Sequence, residues 1–257
     1  MHNEKMVALI IPFYNEKIRF RFDHLEDLAQ RGYGFLEIFL IDDGSEDNLF
    51  SDLEVFISVN SLNNVKVFRL EENLGKANAI RSAIMSINSD MYGHIAFTDS
   101  DFSTEPEEII RVIQIAWKEN TNLVYGSRIQ DETNDIRTSR FRRIQGKTFN
   151  LITKRLFRIQ LEDSQCGLKC FPQRIHNKNF VSFCEEKFRN QWLIDLEITF
   201  RILQAEDTQI VQVRLNRWVH RKASKTSILD TIEILRSLLW LKQRYKSSNR
   251  LLVRESR

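Results

Sequence analysis

The stretch HIAFTDSD, His94 to Asp101, begins as an apolar run and ends in two carboxylates one residue apart, Asp99 and Asp101. Side chains two apart on an extended backbone point the same way, so both acids can serve one site where a strand ends. Paired oxygen ligands suit a hard divalent cation. Mg2+ takes one or two carboxylates and completes its shell with phosphate and water oxygens. One acid on a metal and the other on a sugar or ribose hydroxyl accounts for the pair. As a bare spacing it fits many turns. Its position adds weight, because polar residues close other apolar runs too: Asn15 and Glu16, Asp42 and Asp43, Ser127 and Arg128.

The segments that must place these groups alternate in type. MVALIIPFY is a short apolar run that Pro12 should end, and FLEIFLIDDGSED is a second strand breaking into a turn where Gly44 tolerates positive φ. VKVFRL, GHIAFTDSD and NLVYGSR read as three more strands. Helical spacing runs through DHLEDLAQR, LFSDLEVFISVN, the segment after the ENLGK turn, and EPEEIIRVIQIAWKEN with Pro106 in its first turn. Strands alternating with helices predict a mostly parallel sheet covered on both faces. Ligands of such sheets bind beyond the carboxyl ends of the strands, near the switch in strand order. Further on, NQWLIDLEITFRILQ predicts a helix, TQIVQVRLNRW an alternating strand, VHRKASKTS a basic loop, and ILDTIEILRSLLWLKQRYK a helix with a broad apolar face. Core packing explains that face, and membrane contact also fits it.

The 257 residues are 42% hydrophobic, enough to bury a core, and the net charge of +3 names no partner. The charge is uneven along the chain. Arg137 to Arg158 holds eight Lys and Arg and no acid, with Ile144, Phe149, Ile152 and Leu156 interleaved at helical spacing. This is a basic amphipathic helix. It can be a solvated face or a surface for phosphate or anionic lipid headgroups. Nucleic acid is disfavoured by the modest total charge. The N-terminus has no cleavage-site pattern, and its uncharged run between Lys5 and Glu16 is far short of the ~20 residues of a spanning helix. The expectation is an intracellular chain not integral to a membrane. Cys166, Cys170 and Cys184 form no even framework and no zinc spacing, so they read as reduced thiols. No phosphate-loop or dinucleotide-binding glycine pattern occurs.

Taken in order, IIPFYNE, LIDDGSED, ENLGKANAI, FTDSDFSTEP, YGSR, RFRRIQGKTFNLITKRLF, DSQCGLKCF, WLIDLEI and RKASKTS resemble the family 2 inverting glycosyltransferases. Within them the pattern is similar to the polyprenyl- and dolichyl-phosphate sugar synthases. The resemblance covers nearly the whole chain. It implies an α/β, Rossmann-like GT-A fold with a central, mostly parallel sheet and a C-terminal helical extension. Residues 1–222 would form the transferase domain and 223–257 an acceptor-side loop and amphipathic helix. The implied reaction moves a hexose from a nucleotide sugar to a polyprenyl phosphate. DSQCGLKCF looks more like the glucosyl-type members, which favours UDP-glucose over GDP-mannose.

The resemblance also implies roles. Pro12, Tyr14 and Glu16 would form the base and ribose pocket, and Asp43 would meet the base or ribose. Asp99 would contact the ribose or donor sugar beside Ser100, and Asp101 would bind Mg2+ or Mn2+. Lys76 would shape the donor pocket. Arg128, Arg143 and Arg221 would hold phosphates, Arg143 and Arg221 on the acceptor side with Ser224 and Lys225 in the following loop. Mannosyl-type members often carry Gln where this chain has Ser103, a poorer metal ligand. Many relatives also carry transmembrane helices after this domain, and this chain has none. The expected location is therefore the cytoplasmic face of a membrane, held peripherally by amphipathic surfaces or by a membrane-protein partner. A phosphate acceptor is already anionic and needs no base. A sugar-hydroxyl acceptor on a glycan or lipid-linked saccharide needs one, and Asp195 and Glu197 are the candidates. The alternative from another class is a nucleotide-sugar-binding protein without catalysis.

Overall fold

The structure, a computed structural model, describes residues 5–87, 91–118, 123–157, 161–172, 187–203, 209–221, 228–245 and 252–256. Five apolar runs form the strands expected of them: β1 (Met6–Phe13), β2 (Leu36–Asp42), β3 (Val65–Arg69), β4 (Tyr92–Phe97) and β5 (Leu123–Ser127). Between them lie α1 (Phe22–Arg31), α2 (Leu49–Val59), α3 (Lys76–Ser86) and α4 (Pro106–Lys118). Then come β6 (Asp135–Arg137), α5 (Arg140–Phe157), β7 (Lys169–Pro172), α6 (Ile194–Leu203), β8 (Gln209–Arg214), β9 (Arg217–Val219), α7 (Ile228–Arg244) and β10 (Leu252–Ser256).

Eight strands make the central sheet in the order β10-β8-β5-β7-β4-β1-β2-β3, and β6 and β9 pair separately. All pairings in the large sheet are parallel except those of β7. Successive residues of β1 feed two cores. Ala8 and Ile10 face one that includes residues of α3, α6 and α7, while Val7, Leu9 and Ile11 face one that includes residues of α1, α2 and α4. A strand buried on both faces needs a mostly apolar run, which β1 has throughout and β2 has from Ile38 to Ile41; the buried Glu37 of β2 accepts from the Tyr92 hydroxyl.

The chain leaves β1 for β2 and β3 on one side and returns to β4 on the other. The switch point therefore lies between the ends of β1 and β4, beside Glu16 and Asp99. Pro12 does not end β1, contrary to expectation: it lies inside the strand, opposite Ile41 of β2. Ile10 directs its carbonyl to β4, where it accepts from the Thr98 N–H. Pro12 has the same parity, and pairing with β4 stops at Ile10, so its missing N–H costs no ladder bond.

Four strands, β6, β7, β9 and β10, were not legible. β7 is wedged antiparallel between β4 and β5. β9 carries Trp218 alongside Ile136 of β6. β10 adds an edge strand parallel to β8, so residues 223–257 supply sheet as well as helix. The alternation in β8 does not mark a solvent face either. Gln212 is fully buried, and its Oε1 accepts from the Tyr125 hydroxyl at 2.6 Å.

Candidate active site

The loops after β1 and β2 clasp each other. The Asn15 N–H donates to Ser45 Oγ at 3.0 Å, the Glu46 N–H to Asn15 Oδ1 at 2.8 Å, and the Lys17 N–H to Asp47 Oδ2 at 2.7 Å. Asn15 takes positive φ to do this, as Gly44 does in the facing turn. Gly44 is required there, because a Cβ would sit 3.0 Å from the backbone of Glu72 and Asn73. Asp42 is buried and its Oδ1 accepts from the Ser45 N–H at 2.8 Å. Asp43 is buried too, and its Oδ1 accepts from the Leu74 N–H at 2.8 Å, tying β2 to the turn before α3. Burial pushes the Asp43 carboxyl above its usual range, against the pull of the Leu74 and Gly75 N–H groups.

Glu16 has one oxygen on Arg19 at 2.5 Å and the other, Oε2, buried without a partner among the described residues. Burial raises its pKa to about 7; Arg19 opposes the rise and the charge of Asp101 adds to it. Tyr14 stands 42% exposed beside it, a free ring face. Pro12, assigned to the same pocket, is buried in β1.

Beyond β4, Asp99 accepts from Lys76 Nζ at 2.5 Å. Burial alone would raise the Asp99 pKa, but Lys76 outweighs it, with Arg128 and Lys169 adding, and the net direction is down. Lys76 moves up: burial acts downward, but Asp99 and then Asp195 overcome it. Asp101 accepts from both the N–H and the Oγ–H of Ser103, each at 2.8 Å. Its pKa is raised, by burial first and the charge of Asp99 second. Ser103 thus orients the second acid. Ser100 between them is buried, and Phe102 is fully buried with positive φ.

Arg128 donates through Nε and Nη2 to the two oxygens of Asp163, both at 2.8 Å, and its backbone N–H bonds the same carboxylate at 2.9 Å. The fork assigned to phosphate is engaged with Asp163. The charge still bears on Asp99, as its pKa direction records. Gly167 closes the wall: a Cβ there would lie 2.1 Å from Asp99 Oδ2. Arg221 reaches the same loop, its Nε 3.4 Å from the Phe102 carbonyl oxygen and its Nη2 3.4 Å from His24 Nε2. Arg143 is exposed on α5, and its side chain makes no hydrogen bond or ion pair to this cluster among the described residues. The neighbouring Arg142 is near enough to His220 to help depress its pKa, behind burial. Ser224 and Lys225 lie outside the described residues, as does Cys184. Cys166 and Cys170 are buried free thiols.

The two candidate bases are not available. Asp195 is 5% exposed and paired with buried Lys169 at 2.8 Å. Glu197 is fully buried, paired with Arg201 at 2.5 Å and accepting from the Arg189 N–H at 3.1 Å. Sequence reasoning missed Ser45, Asp163, Gly167 and Lys169 as parts of the site, and weighed Ser103 only as a metal ligand, not as the donor that orients Asp101. Ser45 and Ser103 left a local signal, since a hydroxyl two residues after an Asp is a turn pattern.

The acids fit a divalent cation. Asp101 is destabilised in its charged form by burial and by Asp99, which a cation would relieve. Each of its oxygens keeps a second lone pair beyond the Ser103 bonds. Among the described residues no group of three or more His, Cys, Asp or Glu stands ready for a metal. Two carboxylates with ligand oxygens completing the shell suit Mg2+ or Mn2+.

Comparison with known proteins gives four findings. The family model described as glycosyl transferase family 2 matches residues 8–180. The dolichyl-phosphate beta-glucosyltransferase of Dictyostelium discoideum is 26% identical over 252 residues, 93% of this chain and 74% of that protein. The undecaprenyl-phosphate 4-deoxy-4-formamido-L-arabinose transferase of Pseudomonas fluorescens is 29% identical over 177 residues, 66% of this chain and 47% of that protein. Among solved structures, glucosyl-3-phosphoglycerate synthase from Mycobacterium tuberculosis, in complex with Mn2+, UDP-glucose and phosphoglyceric acid, superposes with TM-score 0.69. It is 14% identical and the match covers 93% of this chain and 80% of that one. That last likeness is one of fold, the GT-A fold.

Proposed function

The chain belongs to glycosyl transferase family 2, and from that premise we propose that it moves a hexose from a nucleotide sugar, UDP-glucose before GDP-mannose, to a polyprenyl phosphate, with Mg2+ or Mn2+. In this reading residues 1–222 carry the transfer chemistry and 223–257 the acceptor-side loop and helix. The names of the two relatives support the acceptor class, since both carry a sugar to a polyprenol-type phosphate.

The observation that carries the reading is the state of the two candidate bases. Asp195 and Glu197 are held in buried ion pairs. A hydroxyl acceptor would lack a proton acceptor there, whereas a phosphate monoester needs none. The phosphate oxygen attacks the anomeric carbon as the bond to the nucleoside diphosphate breaks on the opposite face, and the configuration inverts. Tyr14 and Asp43 would bound the nucleotide, and Asp99, steadied by Lys76, would orient the ribose or sugar. Asp101 would hold the cation, which when bound would supply charge neutralisation to the leaving diphosphate. Buried atoms without partners among the described residues, Glu16 Oε2, Ser127 Oγ and Gln165 Nε2, sit on the segments that bound this edge. Each costs about 1–3 kcal/mol unless something satisfies it, and a polar ligand would.

The acceptor tail must stay in lipid. Among the described residues no helix is long and apolar enough to cross a membrane. α5 offers a peripheral solution: residues 142–148 are exposed all round, and Ile144 and Leu151 are 64% and 67% exposed among the basic side chains. A cationic helix with apolar residues in solvent suits an anionic bilayer surface on the cytoplasmic side. The deciding experiment offers polyprenyl phosphate, a free sugar and a lipid-linked saccharide in parallel, with a panel of nucleotide sugars and the metal. Transfer to polyprenyl phosphate is expected. Transfer only to a hydroxyl would establish the glycan-extending alternative, and donor binding without turnover the non-catalytic one.

A further inference from the structure

Lys169 is 1% exposed, yet it carries an ammonium into the middle of the sheet. It starts β7, the antiparallel wedge, and stands opposite Phe97 of β4 and Tyr125 of β5. Those are the two strands that run on into Asp99 and Arg128. Its Nζ donates to Asp195 Oδ1 at 2.8 Å and to the Cys166 carbonyl at 2.6 Å, and lies 5.9 Å from the centroid of the Phe97 ring. Desolvating an ammonium costs several kcal/mol, and a well-packed apolar pair in its place is often neutral or stabilising. Stability alone therefore gives a weak account of this pair. What the ammonium does that an apolar group cannot is hold the Cys166 carbonyl.

The next residue along from that carbonyl is Gly167, whose α-carbon is the surface against which Asp99 Oδ2 rests. Two residues before Gln165, Asp163 is locked to Arg128. The segment from Asp163 to Lys169 is thus a strap fastened at both ends, with Gly167 pressed on the Asp99 carboxylate that Lys76 holds from the other oxygen. We propose that Lys169 is a positioning residue: through the Cys166 carbonyl and Gly167 it fixes Asp99 for the transfer step, with Asp195 as the counter-charge that keeps it in place. This rests on the reading of Asp99 as a donor-site residue.

The test is a double-mutant cycle on kcat and on KM for the nucleotide sugar. Lys169→Met with Asp195→Leu removes both charges together, so neither is left buried and unpaired. That variant should melt close to wild type and lose kcat by about 10- to 100-fold, the scale of a small misplacement at a reacting centre. In an Asp99→Asn background the same change should cost almost nothing further, because the group it positions is already impaired. Lys169→Gln with Asp195→Asn keeps a hydrogen-bond donor for the Cys166 carbonyl and should recover part of the rate. An equal fold-loss with and without Asp99 would overturn the proposal, as would unchanged kcat in the apolar variant. Failure of both paired variants to fold would assign Lys169 to stability alone and overturn it too. If Asp99→Asn by itself keeps the wild-type rate, the donor-site reading is what has failed.

Discussion

At the carboxyl edge of the sheet, Asp43, Asp99 and Asp101 each have an oxygen held by a specific donor: the Leu74 N–H, Lys76 Nζ and Ser103. On α5, Arg142, Arg143 and Lys147 stand in solvent, and their side chains make no hydrogen bond or ion pair among the described residues. One region is acidic, half-buried and preorganised; the other is basic, exposed and unconstrained. Fixed charges in a water-poor site act on the transition state, where no reorganisation is needed at the moment of reaction. Exposed cations on a helix act on encounter, through a field that salt screens within about 8–10 Å. The two regions should therefore fail in different measurements, and that separation can be attacked directly.

The largest effect should come from Asp101→Ala, with turnover reduced by about 100-fold or more and metal-dependent binding of the nucleoside diphosphate weakened. Titration calorimetry with and without metal checks it, and unchanged metal-dependent turnover would remove Asp101 from the site. Asp99→Asn should cost rate while leaving nucleotide binding measurable.

Glu16 comes next, and it tests how buried the acidic edge is. Its folded pKa is raised by burial to about 7, against about 4.3 in an unfolded chain. The folded state then holds a proton that the unfolded state has shed. The stabilisation is fully present below about pH 4.3 and is lost as pH rises through about 7, up to about 4 kcal/mol in all. The difference in melting temperature between wild type and Glu16→Gln should therefore change between pH 4.5 and pH 8, in the direction that favours wild type at low pH. Parallel curves across that range would show Glu16 to be solvated.

Arg143→Ala and Arg221→Ala should raise the acceptor concentration needed for half-maximal rate while leaving nucleotide affinity near wild type. The loss is about 1–3 kcal/mol for each charge-assisted contact removed. Arg221 is the sharper probe, because it touches the backbone of the Asp101 loop. Loss of nucleotide affinity with unchanged acceptor dependence would move both arginines to the donor diphosphate and blur the contrast. The smallest effects belong to α5. Binding to anionic vesicles should fall as salt rises and weaken by about 1 kcal/mol for each Lys or Arg neutralised between Arg140 and Arg155. Sedimentation with vesicles at low and high salt measures it; binding indifferent to salt would take the helix off the membrane.

Much of this molecule could be read locally. Strands β1, β2, β4 and β5 are mostly apolar runs long enough to cross a sheet, β3 alternates as an edge strand, the turn at Gly44 needs positive φ, and Pro106 opens α4 where its missing N–H is harmless. The carboxylates at the strand ends follow from the same reading, and so does the charge asymmetry of α5. These features depend on periodicity, turn chemistry and side-chain charge within a window of a dozen residues. The partnerships were decided elsewhere. Arg128 was legible as a cation at a strand end, but not as the partner of Asp163, 35 residues on. Asp195 looked like a base until Lys169, 26 residues before it, proved to hold it. Both outcomes follow from β7 entering antiparallel between β4 and β5, a four-residue strand with no periodicity of its own. Residue type and local spacing determined which charges this protein has and near which strand ends they stand. Strand order, a long-range property that no local pattern encodes, decided which of those charges neutralise one another and which remain for a ligand.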